Sequence, residues 1–135
     1  MRQMAFFEAQ MALAEKLSLP VIIHDREAHA DCLEIILKHK PRGVMHCFSG
    51  SVETAKQLTD IGFYIGLGGS VTFKNARKPQ EVAASVDISR LLLETDCPYM
   101  TPVPFRGRRN NSALIAYTAE KIAELGISQV PEGRH

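Results

Sequence analysis

Two histidines and an aspartate hold the most specific chemistry this sequence offers. His24 closes the short β-branched run Val21, Ile22 and Ile23, His46 lies near the end of the run GVMHCF, and Asp96 follows the run Leu91 to Thr95. Ligands of parallel α/β folds gather at the carboxyl ends of the strands, so three such ends in register would bring these side chains to one rim. Two neutral imidazoles and a carboxylate form a ligand set for Zn, Mn, Ni or Fe, and such a set also serves two-metal hydrolysis. Each residue alone has a plainer reading. A histidine at a strand end is commonly a hydrogen-bonded structural group, and an aspartate before Cys97 and Pro98 can simply open a turn. Only the joint placement points to a cation. His29 and His39 fall within helical pattern and His135 is terminal, so they stand outside the candidate set.

A second group is cationic. Arg26 follows His24 by two residues, and Arg106, Arg108 and Arg109 cluster in a Pro-rich loop after Thr95. Guanidinium forks suit phosphate oxygens and give affinity without reading bases, although an arginine-rich loop is often no more than a solvated surface.

The elements that must position these residues alternate along the chain. From Arg2 to Ser18 the apolar positions Met4, Phe7, Met11, Ala14 and Leu17 recur at helical spacing, and Pro20 ends the run. Further helices are expected over Ala28 to Lys40, Val52 to Ile61, Pro79 to Val86 and Ala113 to Leu125, with Gly62 as a left-handed cap. Strands are expected at Val21 to Ile23, running into His24 and Asp25, and over Gly43 to Phe48, Phe63 to Leu67 and Leu91 to Thr95. Alternating helix and strand implies an α/β protein with parallel pairing and right-handed crossovers. The GLGG at Gly66 to Gly69 lacks the spacing of a dinucleotide fingerprint. Two architectures fit, a small doubly wound sheet or half of a (β/α)8 barrel, since a whole barrel needs about 250 residues and this chain has 135.

Composition narrows the class further. With 45% hydrophobic and 23% charged residues the chain has the make-up of an ordinary soluble domain, and a formal charge of +1 exerts no global pull on nucleic acid. No stretch approaches the roughly 20 apolar residues of a membrane span, and Met1 is followed by amphipathic sequence, from which a cytoplasmic location is expected. Cys32, Cys47 and Cys97 are odd in number and lack CxxC spacing, so buried reduced thiols are expected rather than disulfides or a zinc knuckle.

Four motifs in order, PVIIHDREA (Pro20 to Ala28), HCFSG (His46 to Gly50), FYIGLGGSVTFKNA (Phe63 to Ala76) and LLLETDCPYMTPVPFRGRRN (Leu91 to Asn110), resemble the TatD deoxyribonucleases over almost the whole chain. That family comprises metal-dependent hydrolases built on a TIM barrel. The resemblance is to the second half, and it implies a single domain over residues 1–135 made of barrel strands five to eight. It further implies that His24 and His46 are metal ligands, that Asp96 is a ligand which also accepts a proton from the attacking water, and that Arg109 and Asn110 stand where the family has an Arg-Asn pair and, with Arg26 and Arg106, bind substrate phosphate. One or two divalent cations (Mg, Mn, Zn or Ni) and a DNA or small phosphodiester substrate follow from it, with no membrane partner.

The sequence departs from the family in specific places. The family's His-x-His pair on strand one and its bridging acid after strand four have no counterpart here, Asn111 and Ser112 replace a Glu-Pro, and Asp25 replaces a small or hydroxyl residue. A half-barrel would expose two sheet edges, at Val21 to Asp25 and Leu91 to Thr95, and a twofold homodimer is expected to cover them. The chain alone is then expected to have little nuclease activity. The competing readings are a non-catalytic half-barrel relic serving as an oligomerising domain, which predicts no bound metal, and a small doubly wound protein binding a phosphate-bearing ligand, which predicts a compact monomer.

Overall fold

In the computed structural model, residues 2–25 and 29–127 are described. Four strands, β1 (Val21–His24), β2 (Gly43–His46), β3 (Tyr64–Leu67) and β4 (Leu91–Leu93), alternate with helices α1 (Arg2–Leu17), α2 (His29–His39), α3 (Val52–Asp60), α4 (Arg77–Ser85) and α5 (Ile115–Ile127). All neighbouring strands pair parallel in the order β1-β2-β3-β4. This is the expected α/β class. The order runs straight across the sheet, without the reversal that marks a doubly wound fold, so right-handed crossovers bring every connecting helix to one face.

Side-chain alternation makes that asymmetry visible. In β1, Ile23 is 3% exposed while its neighbour Ile22 is 79% exposed. Ile23, Met45, Ile65 and Leu91 form one row across the sheet. That row packs with Met11, Ile36, Ala55, Leu58, Val82 and Ile122 from the five helices in one core. Ile22, Val44 and Tyr64 form the next row, and His24 pairs in register with His46 in the row beyond. Since successive strand residues point to opposite faces, these two rows share the face that the helices leave open.

Most boundaries fall within one or two residues of expectation. β2 stops at His46 because Cys47 takes a left-handed backbone, φ 49°, which ends the extended run. α4 begins at Arg77, two residues before Pro79, since a proline in the first turn forfeits an N–H that has no intrahelical partner. Gly62 has φ 91° and closes α3 as a left-handed residue, as anticipated. The stripe assigned to α1 is only partly correct: Met11 and Ala14 are buried, whereas Leu17 is 55% exposed beside Leu13 and Leu19. Ala28, expected as the first residue of α2, lies outside the described residues. No described helix is long and apolar enough to cross a membrane.

Candidate metal centre

His46, at the end of β2, stands between His24 at the end of β1 and Asp96, three residues beyond the end of β4. The His24 and His46 rings lie 5.8 Å apart between centroids, tilted by 43°. Asp96 Oδ1 stands 3.6 Å from His46 Nε2, too far for a good hydrogen bond but close enough to share a ligand. His24 is exposed on the edge strand, and the Asp96 side chain is 44% exposed, so the cluster is open to solvent. Zinc and similar ions accept imidazole nitrogen and carboxylate oxygen together, so these three residues are of the right chemical type for such an ion, each of the other two facing His46.

The residue that sequence reading passed over is Glu94. Its Oε2 lies 2.7 Å from His46 Nδ1, and its Oε1 accepts from the backbone N–H of Cys47. Three features of the sequence let it reach. Glu94 follows Leu92 by two residues, so strand alternation carries it to the open face. Gly66 supplies no side chain opposite, and a Cβ there would sit 2.5 Å from the Glu94 carboxylate. The left-handed turn at Cys47 joins the strand end to that carboxylate through its N–H. The signal available in the sequence was the spacing of Glu94 and Asp96 on one strand face, combined with glycine on the neighbouring strand.

Two carboxylates facing one imidazole shape its protonation. Burial works against the charged ring, but the hydrogen bond and charge of Glu94, followed by those of Asp96, outweigh it and hold the His46 pKa above its ordinary value of 6.5. Cys47 experiences the opposite balance. Burial and the negative charges of Glu94 and Asp96 push its thiol up to about 12.

His46, Cys47 and Glu94 also bring a nitrogen, a sulfur and a carboxylate oxygen within 4.8 Å of one another. Both Glu94 oxygens are already engaged there, and the thiol keeps its proton, lying 3.4 Å from His46 Nε2. This triplet therefore supports the imidazole, whose Nε2 faces Asp96. The cysteine expectation needs correcting: only Cys32 is buried, Cys47 is half-buried and Cys97 is exposed, though all three are free thiols.

The loop after β4 is built inward from Asp96. Tyr99 N–H donates to Asp96 O at 2.8 Å, Asn110 N–H to Pro98 O at 3.0 Å, and Asn110 Nδ2 to Tyr99 O at 2.9 Å. Asn110 is 4% exposed and its Oδ1 accepts from Asn111 N–H. Its side chain thus organises the loop from within. Gly69 admits the loop closely, since a Cβ there would lie 2.1 Å from Met100 O, and Thr72 Oγ1 accepts from Val103 N–H at 2.8 Å. Arg106 lies over the Phe73 ring at 3.7 Å, an arrangement that pre-sets its guanidinium by cation–π attraction. Arg108 stands 6.0 Å from the Phe105 ring, and Arg109 is exposed. Arg26 lies outside the described residues.

Residues 1–132 match the family model described as TatD related DNase. The metal-dependent hydrolase YabD of Bacillus subtilis is 48% identical over 126 residues, which are 91% of this chain and 49% of that protein. The metal-dependent hydrolase YcfH of Escherichia coli is 44% identical over 127 residues, 92% and 48% of the two chains. Among solved structures, the TatD homologue YjjV of E. coli superposes with a TM-score of 0.78 at 35% identity, over 86% of this chain and 46% of that one. An amidohydrolase from Saccharomyces cerevisiae shares the fold, with a TM-score of 0.75 at 20% identity. The chain spans about half the length of the curated relatives it matches.

Proposed function

The chain belongs to the TatD-related DNase family, and on that footing we propose that it is a metal-dependent phosphodiester hydrolase acting on DNA, with His24, His46 and Asp96 holding a divalent cation. The observation that carries this reading is the placement of His46, paired in register with His24 and 3.6 Å from the carboxylate of Asp96. A divalent cation bound there lowers the pKa of a coordinated water and neutralises charge developing on phosphate oxygens. The chain's own groups do the rest. Asp96, half-exposed beside His46, accepts the proton of the attacking water. Arg106, held over Phe73, and the exposed Arg109 attract the phosphate, together with Arg26 close after His24, while Asn110 keeps their loop in shape.

The four strands are strands five to eight of an eight-stranded barrel, closed by a second copy of the chain. A twofold axis along the barrel sets β1 of one copy beside β4 of the other with every strand still parallel. Two observations support this: β1 and β4 are the edges of the described sheet, and a groove of about 420 Å³ opens between α1 and β1, lined by Phe7, Leu13, Leu17 and Ile22. Light scattering should give twice 15.0 kDa. A monomer would overturn the closed dimer while leaving the metal reading intact.

The function is tested by DNA hydrolysis with Mn, Mg or Zn added to pure protein. Weak, metal-dependent hydrolysis lost on His24→Ala and on Asp96→Asn is expected, because the sequence contains no His-x-His pair to complete a two-metal cage. Activity indifferent to both substitutions would contradict the site.

A further inference from the structure

We infer that Glu94 is a positioning residue that fixes the tautomer of His46, placing the ring hydrogen on Nδ1 and leaving the lone pair of Nε2 for a cation. The inference rests on the metal reading above for its purpose, but its geometry stands alone. An ionised carboxylate only accepts, so the 2.7 Å contact between Glu94 Oε2 and His46 Nδ1 requires the hydrogen to be on Nδ1. The other oxygen accepts from Cys47 N–H, which prevents the carboxylate from turning away.

Metal-bound histidines usually donate their other ring N–H to a carboxylate or carbonyl, which fixes ring orientation and raises ligand basicity. Here that partner arrives from β4, two strands away, across the gap left by Gly66. Sequence distance is 48 residues, so the pairing exists only in the folded sheet. A purely structural role is the alternative. Glu94 would then merely cap the end of β2 through Cys47 N–H, and any side chain offering one acceptor oxygen would serve.

Glu94→Gln separates the two. Glutamine keeps an acceptor oxygen for Cys47 N–H, so its amide nitrogen must face His46 Nδ1 and donate to it, forcing the ring hydrogen onto Nε2. The proposal predicts wild-type His46 as the Nδ1–H tautomer in 15N-detected imidazole spectra of metal-free protein at alkaline pH, where the ring is neutral, and the Nε2–H tautomer in Glu94→Gln. It also predicts about 10- to 100-fold weaker Mn(II) binding by calorimetry in the variant, with an unchanged melting temperature. Glu94→Asp, which retains a carboxylate, should keep the Nδ1–H form and part of the affinity. Wild-type His46 in the Nε2–H form overturns the proposal without needing any variant to fold. So does a Glu94→Gln protein whose tautomer matches wild type. Wild-type protein with the Nδ1–H form that binds no Mn(II) would uphold the tautomer assignment and overturn the proposed function instead.

Discussion

The two faces of the sheet differ in what one residue step along a strand does to a side chain. Ile23 is 3% exposed under the helices, and Ile22 beside it is 79% exposed on the open side. The covered face carries Met45, Ile65 and the fully buried Phe63, packed by every helix. The open face carries His24, His46 and Glu94, with apolar Ile22, Val44 and Tyr64 in the row beneath. Stability thus resides mainly on one side and chemistry on the other. The lesson is that one set of strands can carry a packed core on one face and, on the other, a polar rim above an exposed apolar row.

The sharpest contrast is energetic. Phe63→Ala should cost about 3 to 5 kcal/mol, since a buried aromatic leaves a cavity that the surroundings fill only in part. Thermal melting should fall by roughly 10 to 20 °C for a chain of this size. His46→Ala on the other face should leave melting nearly unchanged while lowering Mn(II) affinity by at least about 100-fold, more than the loss of a supporting carboxylate would. Equal effects on stability from both substitutions would erase the distinction between the faces.

A subtler test concerns what covers the open face. Ile22→Lys should change the stability of a single subunit by under about 0.5 kcal/mol, as exposed sites generally do, yet shift light scattering from the proposed dimer to monomer. Smallest is a pH effect at the far end of the helical layer. His39 Nε2 lies 3.0 Å from Glu8 Oε1 and its Nδ1 3.4 Å from Glu15 Oε2, joining α2 to α1 with Lys38 alongside. The hydrogen bonds to Glu8 and Glu15 raise the His39 pKa against a smaller effect of burial, while Lys38 first and then His39 lower that of Glu8. A raised histidine stabilises fully below its unfolded pKa of about 6.5 and ceases to as pH climbs through the folded value. A lowered glutamate stabilises above about 4.5 and ceases to as pH falls through its folded value. The α1–α2 contact should therefore be strongest between about pH 4.5 and 6.5, and Glu8→Gln should flatten the dependence of melting temperature on pH across that window.

Much of this arrangement was legible in the sequence, for identifiable reasons. Short β-branched runs ending in His24 and His46, with Pro20 and Gly62 as stops, sufficed for the alternation of helix and strand and for the rim on which ligands meet. What escaped was set by contacts between distant strands. Leu91 to Thr95 reads as one strand, but only Leu91–Leu93 pairs with β3, leaving Glu94 to send its side chain across Gly66. No local pattern reports that Glu94 meets a histidine 48 residues away. Nor does the loop's composition report that the Asn110 side chain is bonded to Tyr99 and Asn111 within it. Leu17 continues an apolar stripe by spacing, but the helix turns that position toward the open groove.

X-ray absorption on the zinc-loaded chain would decide whether a cation sits among His24, His46 and Asp96. Nitrogen and oxygen neighbours at about 2.0 to 2.2 Å are expected, with scattering from two imidazole rings, reduced to one ring by His24→Ala. A sulfur neighbour at about 2.3 Å, placing zinc on Cys47 beside Glu94, or a spectrum unchanged by His24→Ala, would contradict it.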